Sequence, residues 1–260
     1  MSNLVVAAHA ENLDVSICLP SVDWYADFAV GEYEKLGVDC ALIMGYDYYY
    51  AASSTPGPVA PLFSSAQWIG ASSWCSVDYS TRYYLGKMTN AAHLALAVPW
   101  YGRKWRAASS ALGAASSGSS YSSAVVYPLA ADQANTYGRL WDTNSSCPYY
   151  AYTSGSYSYQ CFYDDPESLA LKFDYANDKG LGGVGIWCLT HAPDSSELWD
   201  LLGEKFASGS SSSGTTPPSA VSGDAPVAQV TGLSSDSFVF SWTPAQEDAA
   251  GLSSPGGGNR

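Results

Sequence analysis

The sequence predicts an α/β fold in which buried parallel strands alternate with helices. The main signal is an apolar run at 40–44, too short for a helix, that lies between turn-forming segments at 37–39 and 55–58. Such a run is typical of a strand covered on both faces, and strands of this kind are usually parallel. The second signal is the change to polar and aromatic residues at Tyr46 and Asp47, because side chains at the carboxyl ends of parallel strands face the ligand. When the stretch 42–50 is considered alone, a strand that runs into an ordinary aromatic surface loop is as good an interpretation as a strand that ends at a binding site.

The composition favours a neutral ligand. With 24 acidic and 11 basic residues and a pI near 4.3, the chain is a poor partner for nucleic acid or for an anionic membrane surface. Its 20 Tyr and 9 Trp suit a carbohydrate site, where flat rings stack on the apolar faces of sugars. Most of these rings are nevertheless expected in the core, for which 260 residues provide ample material in one large or two small domains.

The six cysteines do not have the spacing of metal ligands, so no metal site and no cofactor are expected. Cys18, Cys40 and Cys188 lie in or beside predicted strands and are expected to be small buried residues. Cys147 and Cys161 flank a loop rich in Tyr and Ser, and a disulfide between them is predicted if the protein is secreted. The three histidines are scattered and form no catalytic cluster.

The first part of the chain predicts a helix, a strand and a second helix. The tail of a helix leads into a strand at 13–19 that Pro20 ends, and a helix follows at 25–36. Asp23 and Trp24 follow the carboxyl end of the strand and are candidates for a sugar subsite, although a turn and core packing are the favoured explanations. The first ten residues have neither a basic start nor an adequate apolar core, so no secretion signal is expected in this chain.

The middle of the chain predicts a helix at 77–88 and a strand at 91–98 that leads into P-W-Y-G-R-K-W at 99–105. Gly102 allows close approach of another backbone, and the planar head of Arg103 suits sugar hydroxyls or a carboxylate such as Asp47. An exposed loop arginine is the alternative. The stretch 107–162 has few helix signals and predicts an insertion, part of which forms a hairpin subdomain.

The last part of the chain predicts a helix, a strand, a helix and a tail. Asp165 and the following proline begin a helix that ends at Gly180, so Asp164 and Asp165 are interpreted as loop and capping residues, not as paired catalytic carboxylates. A strand at 181–188 and a helix at 194–206, with a capping box from Asp194 to Glu197, complete a domain over 1–206. A Ser/Gly/Thr/Pro linker follows at 207–218. The tail, 219–260, begins like a fibronectin type III module but is too short for one, so we expect a loosely ordered partial β-sandwich.

Four motifs together carry a resemblance to a known family. M-G-Y-D at 44–47 resembles the M-x-Y-D motif on the sixth barrel strand of family 18 glycoside hydrolases, the chitinase family. P-W-Y-G-R at 99–103, Y-D-D at 163–165 and G-G-V-G-I-W at 182–187 follow in the family's order. The resemblance covers about the first four-fifths of the chain and implies the carboxyl-terminal half, strands 5 to 8, of a (β/α)8 TIM barrel.

The resemblance also implies roles for residues at the strand ends. Tyr46 would donate to the acetamido carbonyl of the substrate and hold the intermediate, with Asp47 beside it as the second catalytic residue. The tryptophan at the end of strand eight would be the floor of the central sugar subsite. The remaining substrate contacts are assigned to Met44, Tyr101, Arg103 and Trp187. The loop at 189–192 departs from the family's continuation, and no sugar contact is assigned to it.

The chemistry of the family requires one residue type that the sequence does not supply. In these enzymes the substrate's own acetamido group attacks the anomeric carbon, so a single general acid is needed. That acid is the last residue of D-x-x-D-x-D-x-E at the end of strand four, and no such spacing occurs in the chain. The acidic run at 23–34 has the wrong spacing and resembles a solvated helix face. We therefore expect the isolated chain to be inactive.

The expected function is that of part of a secreted chitinase-type glycosidase that acts on β-1,4-linked N-acetylglucosamine polymers. A non-catalytic protein that binds chitin or N-acetylglucosamine oligomers is the main alternative. A second alternative is an interaction module whose Tyr-rich loops bind a protein partner. Chitin, peptidoglycan and N-glycan cores are not distinguished as substrates. A half barrel is also expected to expose two parallel strand edges, which favours association.

Overall fold

The computed structural model describes residues 1–64 and 74–206 with their side chains, and two further strands of backbone at 229–234 and 237–241. The helices are α1 (Ser2–Ala10), α2 (Val30–Lys35), α3 (Val77–Leu85), α4 (Tyr127–Tyr137), α5 (Pro166–Asp178) and α6 (Ser196–Phe206). The strands are β1 (Ser16–Leu19), β2 (Cys40–Met44), β3 (Leu94–Pro99), β4 (Tyr101–Ala107), β5 (Ser122–Val126), β6 (Leu140–Asp142), β7 (Cys147–Ser154), β8 (Tyr157–Phe162), β9 (Gly183–Trp187), β10 (Gln229–Ser234) and β11 (Ser237–Ser241).

The first sheet confirms the predicted α/β arrangement. Its strands β1, β2, β3 and β9 lie side by side in parallel, in the order that the motifs imply for consecutive barrel strands. Every residue of β3 is buried, as expected for a central strand covered on both faces. Because the strands are parallel, their carboxyl ends meet at one edge and bring three of the four motifs together, M-G-Y-D, P-W-Y-G-R and G-G-V-G-I-W. The fourth motif, Y-D-D at 163–165, follows β8, which is not part of this sheet.

The second sheet is antiparallel and is built from the insertion. Its order is β5-β4-β8-β7-β6, with α4 packed against β4, β5 and β7. The prediction of an added subdomain is confirmed, but it is larger than a hairpin and contains an 11-residue helix that was not predicted. The overlooked signals were the proline in the first turn, Pro128, and the terminating Gly138.

Strand β9 is paired on both sides. Besides β3, it pairs in parallel with β11, which forms an antiparallel pair with β10. The expectation that both outer edges of the sheet are exposed is therefore wrong for β9. Strand β1 pairs with β2 alone among the described strands. A fibronectin-like module in the tail remains a prediction, since two strands do not define one.

The predicted helix at 25–36 is wrong in its first half. The Asp23 carboxylate accepts hydrogen bonds from the backbone amides of Asp27 (3.0 Å) and Phe28 (3.4 Å). These contacts hold the chain in a loop, in which Ala26 has a φ of 55°, and α2 begins only at Val30. A side chain that satisfies nearby amides competes with the helix for them, and here it prevents the helix from starting earlier.

The capping box predicted for α6 is also absent. The helix begins at Ser196, so Asp194 lies two residues before it, and the Glu197 carboxylate lies near the Tyr127 hydroxyl, where it adds to burial in raising the pKa of that phenol. The carboxylate therefore links α6 to the insertion. By contrast, Asp165 caps α5 as expected: its carboxylate accepts from the Ser168 amide, and the Ser168 hydroxyl accepts from the Asp165 amide.

The predicted disulfide between Cys147 and Cys161 is wrong. On the β7–β8 ladder Cys161 lies opposite Tyr150, three residues along the strand from Cys147. Three residues of strand span about 10 Å, beyond the reach of a disulfide. Cys147 and Cys161 both have free thiols. Cys18 is exposed, contrary to the expectation that it is buried, because it points to the face of β1 opposite the buried Leu19. Cys40 is buried as expected, and Cys188 is only partly buried.

No helix among the described residues is long and apolar enough to cross a membrane.

Candidate functional site

The centre of the candidate site is Asp47, which follows the carboxyl end of β2. Its backbone is left-handed, with a φ of 57°, and its side chain is exposed. The Tyr101 hydroxyl donates a hydrogen bond to Asp47 Oδ1 at 2.7 Å. Tyr101 is the first residue of β4 and is separated from the end of β3 by Trp100 alone, so the bond joins the ends of the neighbouring strands β2 and β3. The structure thus brings the M-G-Y-D and P-W-Y-G-R motifs into contact.

Two further aromatic rings, those of Tyr46 and Trp187, lie beside this contact. The Tyr46 ring lies 6.3 Å from that of Tyr101 and 6.3 Å from that of Trp187, measured between ring centroids. Trp187 ends β9 and is 55% exposed, so it is not a core residue. The peptide bond that follows it, between Trp187 and Cys188, is cis. The tilted Tyr46 and Trp187 rings, which lie 32° apart, present an aromatic surface beside a carboxylate.

Both tyrosines at the centre of the site remain protonated. Burial raises the pKa of Tyr46 to about 12, and the thiol of Cys18 and the carboxylate of Asp47 act in the same direction. Burial also raises the pKa of Tyr101, and the Asp47 carboxylate that accepts its hydrogen bond raises it further. The two phenols are therefore hydrogen-bond donors over the whole physiological pH range.

Arg103 points elsewhere. Its Nη1 donates to the Ser122 hydroxyl at 3.3 Å, across the β4–β5 ladder. The sequence suggested that Arg103 could contact the Asp47 carboxylate. Among the described residues the two form no ion pair, and Asp47 accepts a hydrogen bond from Tyr101 instead. The buried Nε of Arg103 has no partner among the described residues. Gly102 allows the predicted close approach, because a Cβ there would lie 2.3 Å from the Phe162 carbonyl oxygen.

The other candidates lie at the margin of the site. Met44 is half-buried at the end of β2, and its carbonyl accepts from the Tyr46 amide at 2.8 Å. Trp24 is 63% exposed and packs edge-on against Trp74, with centroids 4.4 Å apart, so it is not a core residue. The Asp23 side chain is only 2% exposed and holds its own loop, which agrees with the turn interpretation.

Sequence reasoning missed His191. Its ring lies edge-on to Tyr101 at a centroid distance of 5.7 Å, and burial lowers its pKa, so the imidazole is neutral near pH 7. The available signal was its position four residues after Trp187, just beyond the end of β9. The three histidines are far apart in sequence, so only this position at a strand end distinguishes His191.

The arrangement provides two phenol donors, one carboxylate and an exposed indole within one group of side chains. Such a group can bind a sugar ring by stacking and orient a polar substituent by hydrogen bonds. In the part of the chain that the structure describes, no three His, Cys, Asp or Glu side chains are grouped as metal ligands.

Comparison with known proteins agrees with this geometry. The model of the family described as "Glycosyl hydrolases family 18" matches residues 6–192. A probable endochitinase of Caenorhabditis elegans is 32% identical over 165 residues, which cover 58% of this chain and 25% of the relative. Chitinase A1 of Niallia circulans is 30% identical over 230 residues, which cover 81% of this chain and 32% of the relative.

Solved structures show the same fold. The group IV chitinase of Ostrinia furnacalis in complex with allosamidin matches with a TM-score of 0.68 and 22% identity, over 78% of this chain and 59% of that one. A chitinase of Cycas revoluta in complex with (GlcNAc)3 matches with a TM-score of 0.66 and 20% identity, over 79% and 61% of the two chains.

This chain thus spans a quarter to a third of the two relatives' length and about three-fifths of the two solved chains. Proteins of this family have a TIM barrel, and the parallel sheet described above has the corresponding α/β architecture. Since the family match covers well over half of the chain, the protein belongs to family 18 of the glycosyl hydrolases.

Proposed function

We propose that this chain supplies the sugar-binding side of a chitinase-type active site that acts on β-1,4-linked N-acetylglucosamine polymers. The observation that carries the proposal is the group formed by Tyr46, Asp47, Tyr101 and Trp187 at the carboxyl edge of the sheet. The relatives are chitinases, and two solved neighbours hold allosamidin and an N-acetylglucosamine trimer. The strands of this chain would be strands 5 to 8 of the barrel.

Each residue has a role that its surroundings support. The exposed indole of Trp187 stacks against the apolar face of the sugar. The Tyr46 phenol, which burial keeps protonated, donates to the acetamido carbonyl and holds that oxygen against the anomeric carbon. Tyr101 fixes the Asp47 carboxylate beside the sugar by its 2.7 Å hydrogen bond.

Three further residues line the edges of the proposed site. Met44 ends β2, and its carbonyl accepts a hydrogen bond from the Tyr46 amide, whereas Arg103 extends the site along β4 toward Ser122. Trp24, with its exposed ring against Trp74, is proposed for an outer sugar subsite. The contacts of Asp23 support a role in positioning the loop that presents Trp24, not direct sugar contact.

The proposed chemistry is substrate-assisted. The acetamido oxygen attacks the anomeric carbon while a general acid protonates the leaving glycosidic oxygen, and water then opens the cyclic intermediate. The chain contains no D-x-x-D-x-D-x-E, so the proton donor is not among its residues. We therefore propose that this chain alone binds oligosaccharides without cleaving them. In the secreted parent enzyme, the acid would come from a preceding part of the barrel.

The first experiment measures binding. Titration of the purified chain with N-acetylglucosamine trimer should quench Trp187 fluorescence and give a saturable isotherm. Trp187→Ala should weaken binding by roughly thirtyfold, because truncation of a tryptophan that anchors a ligand typically costs about 2 kcal/mol or more. Tyr157→Ala removes another half-exposed ring, on the second sheet, and serves as the matched control that leaves binding unchanged. Absence of trimer binding would contradict the proposal.

The second experiment distinguishes part of an enzyme from a non-catalytic sugar-binding protein. The second possibility is favoured by the absence of D-x-x-D-x-D-x-E, and hence of the general acid, from the chain. The chain alone should release no chromophore from a chitobiose glycoside. The chain fused behind a family 18 segment carrying D-x-x-D-x-D-x-E should release it, and the same fusion with the final Glu changed to Gln should not. Oligosaccharide binding without turnover in every fusion would instead establish a non-catalytic sugar-binding protein.

A further inference from the structure

His191 lies in the candidate site, beside the residues that are proposed to bind the sugar. It follows β9 at the end of a single 3-10 turn, Leu189–His191. Its backbone amide donates to the Cys188 carbonyl at 2.9 Å, and the next residue, Ala192, is completely buried. The backbone that carries the imidazole is therefore held in place on both sides of His191.

The imidazole continues the series of ring contacts at the site. These contacts join Trp187 to Tyr46 and Tyr46 to Tyr101, at 6.3 Å each, and Tyr101 to His191 at 5.7 Å. The Tyr101 ring is buried, and its hydroxyl already donates to Asp47. The His191 ring meets the Tyr101 ring at 82°, a contact between rings that uses neither nitrogen in a hydrogen bond. The polar atoms of the imidazole are therefore left for another partner.

The two nitrogens of this ring differ in their surroundings. Nδ1 is buried and has no hydrogen-bond partner among the described residues. Nε2 is not buried in this way, so it lies on the accessible side of the half-buried ring. Protonation would place an N–H on both nitrogens, including the buried one. Burial accordingly lowers the pKa of His191, and no carboxylate in the described part of the chain counteracts this effect, so the ring is neutral near pH 7.

The surroundings of the ring also determine which nitrogen carries the proton. A neutral imidazole has one N–H and one bare nitrogen. Buried N–H groups without an acceptor are rarer in proteins than buried acceptors without a donor, so the bare nitrogen is Nδ1 and the N–H is at Nε2. His93 provides the contrast. Its Nδ1 is also buried, but it lies 3.6 Å from a carboxylate oxygen of Glu34, which can hold a proton there.

We propose that His191 is a further sugar-binding residue, whose Nε2–H donates a hydrogen bond to an oxygen of the bound saccharide on the Tyr101 side of the site. The hydroxyl and acetamido oxygens of an N-acetylglucosamine chain are neutral acceptors that match a neutral donor. Contact with the Tyr101 ring orients the imidazole before the ligand binds, so little side-chain freedom is lost on binding. The position of the proton follows from the surroundings of the ring, whereas the choice of a saccharide as acceptor rests on the proposed function.

Three substitutions at this position separate a hydrogen-bond donor from a packing residue. The amide nitrogen of Gln can take the place of Nε2, that of Asn can take the place of Nδ1, and Phe keeps a ring without a donor. N-acetylglucosamine trimer is titrated into the full 260-residue chain in a calorimeter. His191→Phe and His191→Asn should each weaken binding by roughly fivefold, as expected for one hydrogen bond between neutral groups. His191→Gln should keep the wild-type affinity. If the ring only packs against Tyr101, the order is reversed, and Phe keeps the affinity that Gln loses.

A matched control and a direct measurement of the proton complete the test. His93→Phe, at the amino end of β3 and so at the opposite edge of the sheet, should leave trimer affinity unchanged. ¹⁵N NMR of the wild-type imidazole should show the proton of His191 on Nε2 and a bare Nδ1. A proton on Nδ1, full affinity in His191→Phe, or reduced affinity in His191→Gln would overturn the role of His191 and leave sugar binding at Trp187 intact. Absence of trimer binding by the wild-type chain would overturn both proposals.

Discussion

At the scale of single residues, the hydroxyl of Tyr101 determines where the Asp47 carboxylate lies. Tyr101 is only 6% exposed, whereas Asp47 is exposed, so the hydrogen bond holds an exposed carboxylate against a buried side chain. Tyr101→Phe should destabilise the fold by only about 1 kcal/mol, because water replaces the lost donor at Asp47. It should weaken binding of N-acetylglucosamine trimer by roughly tenfold.

Chemical unfolding and calorimetric titration measure these two effects. Tyr25→Phe removes the hydroxyl of a tyrosine that is 85% exposed and should change neither quantity. A Tyr101→Phe variant with full affinity would mean that the orientation of Asp47 does not matter for sugar binding.

A second prediction at this scale concerns the buried ion pair of Lys172 and Asp164. Both side chains are almost completely buried, and the Ser168 hydroxyl also donates to Asp164. Burial alone would lower the pKa of Lys172, but the adjacent carboxylate outweighs it and raises that pKa. Lys172→Met should cost roughly 3–5 kcal/mol of unfolding free energy, because it leaves a buried charge without a partner.

Removing both charges tests the cause. Lys172→Met combined with Asp164→Leu should recover most of the lost free energy, as measured by urea unfolding. Lys205→Met, which breaks the more exposed pair with Asp174, should cost at most about 1 kcal/mol. A double variant no more stable than Lys172→Met would show that the loss comes from packing and not from the unpaired carboxylate.

At the scale of elements, Gly102 sets the spacing between β4 and β8. A Cβ at this position would lie 2.3 Å from the Phe162 carbonyl oxygen and 2.9 Å from the Tyr163 Cα, both backbone atoms that cannot rotate away. Gly102→Ala should therefore push the strands apart, cost about 1–3 kcal/mol and weaken sugar binding through its neighbours Tyr101 and Arg103. Thermal unfolding and trimer titration measure both.

The matched control for Gly102→Ala is Gly86→Ala. Gly86 follows α3 with a helical φ of −64°, and a Cβ there would meet its nearest atom at 3.4 Å. This variant should be close to neutral in both measurements. Equal effects of the two substitutions would argue against close strand approach as the role of Gly102.

The loop after β1 predicts a pH dependence of stability. Burial raises the pKa of Asp23, but hydrogen bonds from the Asp27 and Phe28 amides and the Tyr83 hydroxyl outweigh burial and bring it below 3.8. The unfolded chain therefore takes up this proton at a higher pH than the folded chain. The stabilisation is complete above about pH 4 and is lost as the pH falls through the folded-state pKa.

Urea unfolding at about pH 5, 4 and 3 should show this loss in the wild-type protein and a smaller loss in Asp23→Asn. Asp14→Asn, at an exposed aspartate before β1, should keep the wild-type slope. An unchanged slope in Asp23→Asn would assign the acid sensitivity to other carboxylates.

The elements also show what the sequence could predict. The strand ending at Met44 and the helix capped by Asp165 were predictable, because hydrophobic pattern and capping residues are local signals. The bond from Tyr101 to Asp47 was not, since it depends on a left-handed backbone at Asp47 and on the register of two strands. The early part of the helix predicted at 25–36 failed because Asp23 takes the amides that the helix needs.

At the scale of the whole molecule, the junction between β3 and β4 connects the two sheets. Trp100 lies between these strands, is 1% exposed and packs against Trp199 of α6 at 4.9 Å. The chain thus passes directly from the central strand of the first sheet into the second, which fixes Tyr101 at the site.

The parallel edge of the first sheet, at β1, gives the last prediction. Among the described strands β1 pairs with β2 alone, and it carries the exposed Cys18. An unpaired parallel edge favours association, so the chain should form dimers or larger species as its concentration rises. Cys18 should react first with a thiol reagent in dilute solution and should become protected on association.

Cys18→Lys should keep the protein monomeric, because a lysine on an edge strand disfavours strand pairing. Ser119→Lys adds the same charge at an exposed position on the second sheet's side and should associate like the wild-type protein. Light scattering after size-exclusion chromatography measures the state of each variant. Association that persists in Cys18→Lys would place the contact elsewhere, whereas a wild-type protein that stays monomeric at high concentration would show that the edge of β1 is not available for pairing.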